Sequence, residues 1–410
     1  MHRTEGNIRV LYSFPHKLGA GRICYTAWEQ VQGVARAGAE VLAMPGVLHR
    51  PVLEGVRVQP TIARGRFRIP YKLLGAMRAC ALHDYVVSRR LERLAGQVDV
   101  VHVWPLGSRL TLKTAARLGI PTVLERPNAH TAFAYEVVRK ECDRLGIVLP
   151  ADYEHAFNAQ ALQREEEEYA TAFRILCPSE FTARTFLDKG FAPERLARHI
   201  YGYDPQRFYP ANQPRHSGLG LNVLFAGLCA VRKGLHFALE AWLRSEASRH
   251  GTFSIAGDFL PAYKSRLSAM LAHPSVRVLG QRGDIPELMR RSDIFVLPSI
   301  EEGFGLVVAE AIGSGCVPLA SDACTEVCSH MQNGLVHHAG DIAMLAEQFA
   351  LLHKDRSLLS RLRSAALAMR SSITWDAAGV RLLEVYNRTV ADFALTMPAT
   401  DVISVAVDVG

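Results

Sequence analysis

Two carboxylates at a fixed spacing flank a glycine-rich turn in the stretch 298-PSIEEGFGLVVAEAIGSGCVPLAS-321. Glu302 directly precedes the turn Gly303-Phe304-Gly305, and Glu310 follows within an otherwise apolar segment. The two glycines allow a sharp turn that presents backbone N–H groups at a helix start, which favours anionic oxygens and sugar hydroxyls. A carboxylate is an acceptor with two oxygens, so it suits a pair of neighbouring hydroxyls. The alternative is that both glutamates are solvated surface positions.

Positive charge that could bind a diphosphate occurs just before another predicted helix. Arg232 and Lys233 follow the apolar strand 222-NVLFAG-227 and directly precede a glycine. A weaker signal is the loop with Gly19 and Gly21, because a lone G-x-G is also found in ordinary turns. The chain contains no D-x-D sequence that could hold a metal ion between carboxylates and a diphosphate. The residues therefore favour a metal-independent site, with simple loop decoration as the alternative for the basic pair.

These residues follow strands in two successive alternations of strand and helix. Short, nearly all-apolar strands separated by helices predict parallel sheets that are covered on both faces. The first half has predicted strands at 8–14, 40–44, 98–104, 121–125 and 174–179, and predicted helices at 25–37, 110–118 and about 152–170. The second half has predicted strands at 222–227, 252–257, 276–280, 293–299 and 317–321. In such sheets ligands bind beyond the carboxyl ends of the strands, so two facing edges would form a cleft.

The length favours two domains, since 410 residues exceed what one hydrophobic core usually supports. The stretch 201-YGYDPQRFYPANQPRHSGLG-220 separates the two alternations and has the composition of a linker. We expect a first domain over 1–203, a second domain over 204–380, and a C-terminal helix and tail over 381–410 that packs back on the first domain. The amphipathic pattern of this last helix begins at Thr374.

The sequence argues against membrane-spanning proteins, secreted proteins and proteins with a cysteine-based metal or redox centre. With 49% hydrophobic and 21% charged residues it is that of a globular protein. The chain has no apolar run of eighteen or more residues and no signal-peptide pattern at its start, so a cytoplasmic location is expected. Eight cysteines are scattered without a C-x-x-C pair, which favours reduced packing residues over a metal or redox centre.

The C-terminal motifs resemble a known family. The run 299-SIEEGFGLVVAEAIGSGCVPLASD-322, with 293-DIFVLPS-299 and 227-GLCAVRKG-234, resembles the second domain of the family 4 retaining glycosyltransferases, which have the GT-B fold. The hallmark of that family is two glutamates separated by seven residues. Looser similarity extends to the loop of Gly19 and Gly21, to the strand 98-VDVVHVW-104, to His130, to 201-YGYDPQRFYP-210 and to Trp375.

The resemblance implies a fold and a set of roles. The fold would be GT-B, with two doubly wound, Rossmann-like domains that face each other across a cleft, the first on the acceptor side and the second on the donor side. The family uses the first glutamate for hydroxyls of the donor sugar, the second for the nucleotide ribose, and the basic pair for the donor phosphates. The implied catalytic residues are His130 and Glu302. The implied donor-binding residues are Gly19, Gly21, Arg232, Lys233, Gln281, Arg282, Phe304, Gly305, Leu306 and Glu310. Many relatives carry Arg where this sequence has Leu228, so Arg232 is the expected second cation.

The implied function is transfer of a sugar from a nucleotide-diphosphate sugar to an acceptor, with retention of the anomeric configuration. The nucleotide sugar would be a co-substrate, and neither a metal nor another cofactor is expected. The acceptor could be a small molecule, a glycan or a lipid-linked saccharide. Two alternatives stay open: a nucleotide-sugar-binding protein without catalysis, and another GT-B enzyme such as a sugar-phosphate synthase. Slow hydrolysis of the donor would argue against the first alternative.

A basic cluster stands apart from these motifs. The window 57–93 holds nine Lys and Arg against two acidic residues, a net charge of +7 that equals the charge of the whole chain. Beside its apolar helical positions, this charge suits peripheral contact with the anionic inner face of a membrane. The alternatives are that the apolar positions pack on the sheet and that the arginines serve solubility or an acidic acceptor. No nucleic-acid partner is expected, since no aromatic-interleaved basic platform or helix-turn-helix accompanies the charge.

Overall fold

Two parallel sheets form the framework of the protein. The computed structural model describes residues 7–64, 67–68, 75–211, 220–324 and 326–396. Each sheet is packed against helices, and the two domains face each other across a cleft. The prediction of two doubly wound, parallel-sheet domains is confirmed.

Seven parallel strands form the first sheet. They are β1 (Arg9–Leu18), β2 (Glu40–Leu48), β3 (Arg57–Val58), β6 (Val100–Val103), β7 (Thr122–Glu125), β8 (Arg174–Cys177) and β9 (Leu196–Arg198). Their spatial order is β3-β2-β1-β6-β7-β8-β9. The antiparallel pair β4 (Ala63–Arg64) and β5 (Phe67–Arg68) lies outside this sheet. All four residues of β6 are buried, as expected for a central strand of a sheet covered on both faces.

Six helices connect these strands within the described residues. They are α1 (Ile23–Arg36), α2 (Ala76–Arg93), α3 (Arg109–Arg117), α4 (Thr131–Leu145), α5 (Ala159–Thr171) and α6 (Glu180–Leu187). The sequence prediction of one helix from about 152 was wrong, because α5 begins at Ala159, where the side chain of Asn158 accepts a hydrogen bond from Ala161 N and caps the helix. The preceding residues form a loop instead.

The second sheet contains six parallel strands. They are β10 (Asn222–Ala226), β11 (Thr252–Ala256), β12 (Val276–Gly280), β13 (Ile294–Leu297), β14 (Val317–Ser321) and β15 (Leu335–His337), in the order β12-β11-β10-β13-β14-β15. Its helices are α7 (Leu235–Arg244), α8 (Pro261–Arg266), α9 (Ser268–Leu271), α10 (Ile285–Arg291), α11 (Leu306–Gly313), α12 (Ile342–Lys354) and α13 (Arg356–Met369). Short 3-10 helices are Pro193–Arg195, Val231–Lys233, Glu246–Arg249 and Arg370–Ile373.

The last helix of the described ranges returns to the first domain. Helix α14 (Trp375–Thr396) packs along α1, and the hydroxyl of Tyr386 lies 2.7 Å from Nδ1 of the buried His102. A Cβ on Gly379 would lie only 2.3 Å from the carbonyl carbon of Gly33, so the two helix backbones are in close contact at this pair. The last described helix therefore completes the packing of the first domain.

Helix α4 ties the domains together from the other direction. Its buried Val138 and Cys142 belong to the hydrophobic core of the second domain. On the same helix, Glu141 Oε1 lies 2.7 Å from His236 Nε2 on α7. The chain leaving α4 therefore passes close to the second domain, and residues 151–156 of the following loop line the cleft.

Candidate functional site

The cleft between the domains has a volume of about 910 Å³. Loops from both sheets line it, as expected for ligands that bind beyond the carboxyl ends of parallel strands. The first domain contributes the segments after β1, β6 and β7 and the loop before α5. The second domain contributes the segments after β10, β11, β12 and β13.

The glycine-flanked turn between β13 and α11 forms one wall of the cleft. Phe304 is buried, and its ring centroid lies 5.5 Å from that of Tyr201, which comes from the linker. Phe304, Gly305 and Leu306 all line the cleft at the start of α11. A Cβ on Gly303 would lie 1.5 Å from the carbonyl oxygen of Pro127 in the first domain. Only glycine permits this close approach of the two domains.

Glu302 and the two predicted cations converge at this wall. The Lys233 ammonium forms a direct ion pair with Glu302 Oε2, and Arg232 Nη1 lies 3.5 Å from the same oxygen. Burial alone would raise the pKa of Glu302, but the charges of Lys233 and Arg232 hold it below its ordinary value. Burial lowers the pKa of Lys233, and the charge of Glu302 offsets part of this effect. The site thus presents two positive charges and one negative charge to the cleft.

Glu310 lies on α11 and also lines the cleft. The sequence predicted Glu310 about two turns into the helix. Because α11 begins at Leu306, Glu310 lies little more than one turn into it. Within the described part of the chain its carboxylate has no hydrogen-bond or ion-pair partner. Burial raises the pKa of Glu310 to about 7, and the charge of Arg207 lowers it only in part. An unpaired acceptor of this kind has the capacity to bind hydroxyl groups of a ligand.

The remaining predicted donor residues divide into two groups. Gln281 and Arg282 follow β12, line the cleft and are exposed, with Arg282 paired to Asp284. Gly19 and Gly21 are not among the lining residues; the cleft is lined instead by Arg22, which follows directly. The role of the glycine loop in donor binding therefore stays a prediction.

His130 lies at the start of α4. Its Nδ1 accepts a hydrogen bond from Ala132 N at 3.2 Å and so caps α4, while its ring packs against Tyr169, Phe186 and Phe191. His130 is 3% exposed and is not among the residues that line the cleft. Burial lowers its pKa to about 4. This geometry gives His130 the role of a helix cap within an aromatic cluster, and its contact with the donor sugar stays a prediction.

Sequence reasoning missed Glu301 and His155. Glu301 is fully buried, and its carboxylate accepts a hydrogen bond from Ala129 N at 2.9 Å. His155 Nε2 and Arg232 Nη1 lie 3.3 Å and 3.2 Å from Glu301 Oε2. The sequence did show Glu301 beside Glu302, but adjacency could not reveal that the two side chains have different partners. His155 was missed because it fell inside a predicted helix.

Two general properties of the described residues bear on the site. No group of three or more His, Cys, Asp or Glu side chains that could hold a metal ion occurs among them. No helix in these same ranges has the length and apolar character needed to cross a membrane.

Comparison with known proteins agrees with this geometry. The sequence model of the family described as Glycosyl transferases group 1 matches residues 220–355. The D-inositol 3-phosphate glycosyltransferase of Nocardia farcinica is 30% identical over 374 residues, which span 86% of this chain and 78% of that protein. The chain is a family 4 glycosyltransferase.

Two further proteins resemble parts or all of this glycosyltransferase. The N,N'-diacetylbacillosaminyl-diphospho-undecaprenol alpha-1,3-N-acetylgalactosaminyltransferase of Campylobacter jejuni is 37% identical over 120 residues, which span 28% of this chain and 31% of that enzyme. The crystal structure of the Anabaena protein HepE with UDP and glucose matches with a TM-score of 0.63 and 16% identity. The match covers 93% of this chain and 100% of HepE. This likeness confirms the predicted GT-B fold of the glycosyltransferase.

Proposed function

We propose that this glycosyltransferase moves a sugar from a nucleotide-diphosphate sugar to an acceptor with retention of configuration and without a metal ion. The observation that carries the proposal is the convergence of Arg232 and Lys233 on Glu302 at the carboxyl ends of the second sheet. Two cations beside one carboxylate suit a ligand that carries both a diphosphate and sugar hydroxyls.

Each part of the donor has a matching group in the cleft. Arg232 and Lys233 would bind the diphosphate, assisted by the backbone at the start of α11. Glu302 would accept hydrogen bonds from the donor sugar, and Glu310 from the two hydroxyls of the ribose. Gln281 and Arg282 lie on the same side of the cleft and would contribute to selectivity for the nucleotide.

In the proposed reaction the bond between C1 of the sugar and the diphosphate oxygen breaks, and C1 forms a bond to the acceptor oxygen on the same face. The leaving diphosphate takes the electron pair, and one of its oxygens takes the acceptor proton. Positive side chains stabilise the charge that develops on the diphosphate. Glu302 is held by two cations, which makes it a positioning group and a poor nucleophile. These cations would do the work that a metal ion does in other transferases.

The stereochemical part has a direct test. When a donor with an alpha-linked sugar, such as UDP-glucose, is turned over, the anomeric proton of the product is examined by NMR. We expect an alpha product; the Campylobacter relative is likewise named an alpha-1,3-transferase. A beta product would overturn retention. A rate that survives excess chelator supports metal independence, and a rate that is lost with chelator and restored by a divalent cation contradicts it.

We further propose that the first domain docks on the cytoplasmic face of a membrane to reach a lipid-linked acceptor. The Campylobacter relative is named for an acceptor on a diphospho-undecaprenol lipid. On α2 of this chain Arg78, Arg89 and Arg93 are exposed, and the ring of Tyr85 between them is 55% exposed. Each such arginine near an anionic surface contributes about 1 kcal/mol. Arg66, Lys72, Leu73 and Leu74 of the predicted basic and apolar cluster lie outside the described residues.

Sedimentation with anionic liposomes tests the docking surface. We expect binding at low salt that weakens at high salt, because salt screens exposed charges. Exchanging Arg78 and Arg93 for Glu should reduce the bound fraction, whereas exchanging the exposed Arg381 on α14 should not. Protein that stays in the supernatant at low salt would contradict the proposal.

A further inference from the structure

One buried carboxylate connects the two domains at the cleft. Glu301 belongs to the second domain, in the turn before α11, but its Oε1 accepts the backbone hydrogen of Ala129 in the first domain at 2.9 Å. His155, from the loop before α5, approaches Oε2 to 3.3 Å. Glu301 is therefore a direct polar link between the acceptor-side loops and the donor side.

The same carboxylate holds a donor-side cation. Arg232 Nη1 lies 3.2 Å from Glu301 Oε2 and donates to the backbone oxygen of Glu301 at 2.9 Å. Two contacts to one residue fix the direction of the guanidinium, which also lies 3.5 Å from Glu302. Arg232 is 7% exposed, so its position depends on these buried partners and not on solvent.

The first-domain side of the link is held just as closely. The carbonyl oxygen of Ala129 accepts hydrogen bonds from Arg126 Nη2 at 2.8 Å and Nε at 3.0 Å, while its N–H donates to Glu301. Arg126 in turn forms an ion pair with Glu165 at 3.2 Å. The loop 127–129 is thus held between a cation of its own domain and a carboxylate of the other.

The chemistry of this position requires an ionised carboxylate. Three donors converge on the Glu301 side chain, from Ala129, His155 and Arg232, and only a group that accepts on both oxygens can satisfy them. Burial alone would raise the pKa of Glu301, but the hydrogen bond from His155 and the charge of Arg232 hold it well below its ordinary value. A glutamine would turn an NH2 group toward one of the three donors in either orientation.

We propose that Glu301 is a positioning residue that fixes Arg232 for the diphosphate only when the first-domain loops 127–129 and 151–156 are docked, and so couples closure of the cleft to donor binding. This inference rests on the proposed role of Arg232 in donor binding. Glu301 itself touches no reacting atom. Its effect on the donor passes through Arg232, and its effect on the loops passes through Ala129 and His155.

The chain offers a matched control. Glu326 also links the domains, since it pairs with Arg198 and accepts a hydrogen bond from Glu180 N at 3.1 Å. It is exposed and is not among the residues that line the cleft. Glu301→Gln and Glu326→Gln therefore make the same chemical change at two interdomain glutamates, of which one contacts the donor-side cation.

The test measures the affinity of UDP, and separately of GDP, by titration calorimetry. The proteins compared are the wild type, Glu301→Gln, Arg232→Met, the double variant and the control Glu326→Gln. We expect Glu301→Gln to weaken nucleotide binding about tenfold and Glu326→Gln to leave it within about twofold. In the background of Arg232→Met, adding Glu301→Gln should have almost no further effect, because residues that act through one another are not additive. Unchanged affinity in Glu301→Gln, or additive losses in the double variant, would overturn the inference.

A second measurement separates this inference from the proposed function. Hydrogen exchange without nucleotide should be faster in Glu301→Gln for peptides that cover 127–131 and 151–156, and unchanged there in Glu326→Gln. If the wild-type enzyme binds neither UDP nor GDP, the proposed donor chemistry fails, while the exchange result still decides whether Glu301 holds the loops. Unaltered exchange in Glu301→Gln contradicts the positioning role. Thermal unfolding of each variant confirms that the compared proteins are folded.

Discussion

The ammonium group of Lys233 is paired with the carboxylate of Glu302, so the cation proposed for phosphate and the acceptor proposed for sugar contact each other directly. A bound diphosphate sugar would contact both members of this pair at once. Each charge of the pair also offsets part of the cost of burying the other. The pair thus holds the two groups at the separation that one ligand must match.

Lys233→Met should weaken binding of UDP or GDP about tenfold to a hundredfold. The change removes a charge-assisted contact to the diphosphate, which contributes about 1.5 to 3 kcal/mol. Titration calorimetry measures the effect. The control is Lys113→Met, at an exposed position of α3, which should leave affinity unchanged. Full affinity for both nucleotides in Lys233→Met would remove Lys233 from the donor site.

Glu310→Gln should weaken nucleotide binding about tenfold yet stabilise the protein at alkaline pH. Burial raises the pKa of Glu310 to about 7, above its ordinary value, so the folded protein keeps a proton that the unfolded chain has already released. Its contribution to stability is therefore favourable at low pH and is lost as pH rises through about 7. Thermal unfolding should show a higher melting temperature for the variant at pH 8 and little difference at pH 4.

The control for this change is Glu347→Gln, at an exposed position of α12. It should alter neither nucleotide affinity nor the pH dependence of unfolding. If Glu310→Gln binds UDP and GDP as tightly as the wild type, the assignment of Glu310 to the ribose is wrong, whatever happens to stability.

His130→Ala should cost stability, and His130→Asn should cost less. The alanine variant loses the helix cap to Ala132 and ring contacts with Tyr169 and Phe186, and a lost cap alone costs about 1 kcal/mol. Asparagine is itself a favourable capping residue. Chemical unfolding measures the difference. Turnover per folded molecule in His130→Asn should stay within about threefold, and a loss of about a hundredfold would instead indicate contact with the sugar.

Gly303→Ala should separate the domains at the cleft. A Cβ at this position would lie 1.5 Å from Pro127 O and 3.1 Å from Asn128 N, and both are backbone atoms that cannot rotate away. We expect at least about a tenfold loss in kcat/KM, because a shift of about 1 Å at a reacting centre is costly. Gly283→Ala provides the control, since a Cβ there would have no atom within 4 Å. Equal activity of both variants would show that the two loops can part without consequence.

The fold was predictable where side-chain chemistry alone decides structure. Strands such as β6 and β14 are buried throughout, and a short apolar run between helices has few other places to go. The start of α5 was not predictable in this way, because the polar residues before Asn158 are equally common in helices and loops. Their loop conformation depends on contacts with the second domain, including that of His155 with Glu301.

The site was predictable to the extent that it follows from local spacing. Glu302, Arg232 and Lys233 lie on the cleft because each follows a strand of the second sheet within a few residues, and Glu310 lies there because α11 begins at the same turn. His130 also follows a strand, yet its ring contacts Tyr169 and Phe186, which are distant in sequence, and it became part of the packing. The role of Glu301 could not be predicted from local spacing, since its partners Ala129 and His155 come from the other domain.

The return of α14 to the first domain has a consequence for biosynthesis. The ribosome completes β1, α1 and β6 first. The backbone that packs against Gly33 on α1 and the hydrogen-bond partner of His102 come later, from the last helix of the described chain. Domains generally fold as units in the order of their synthesis, and here the first unit lacks part of its own packing until translation has passed Tyr386. The first domain therefore completes its packing only after the second domain has been synthesised.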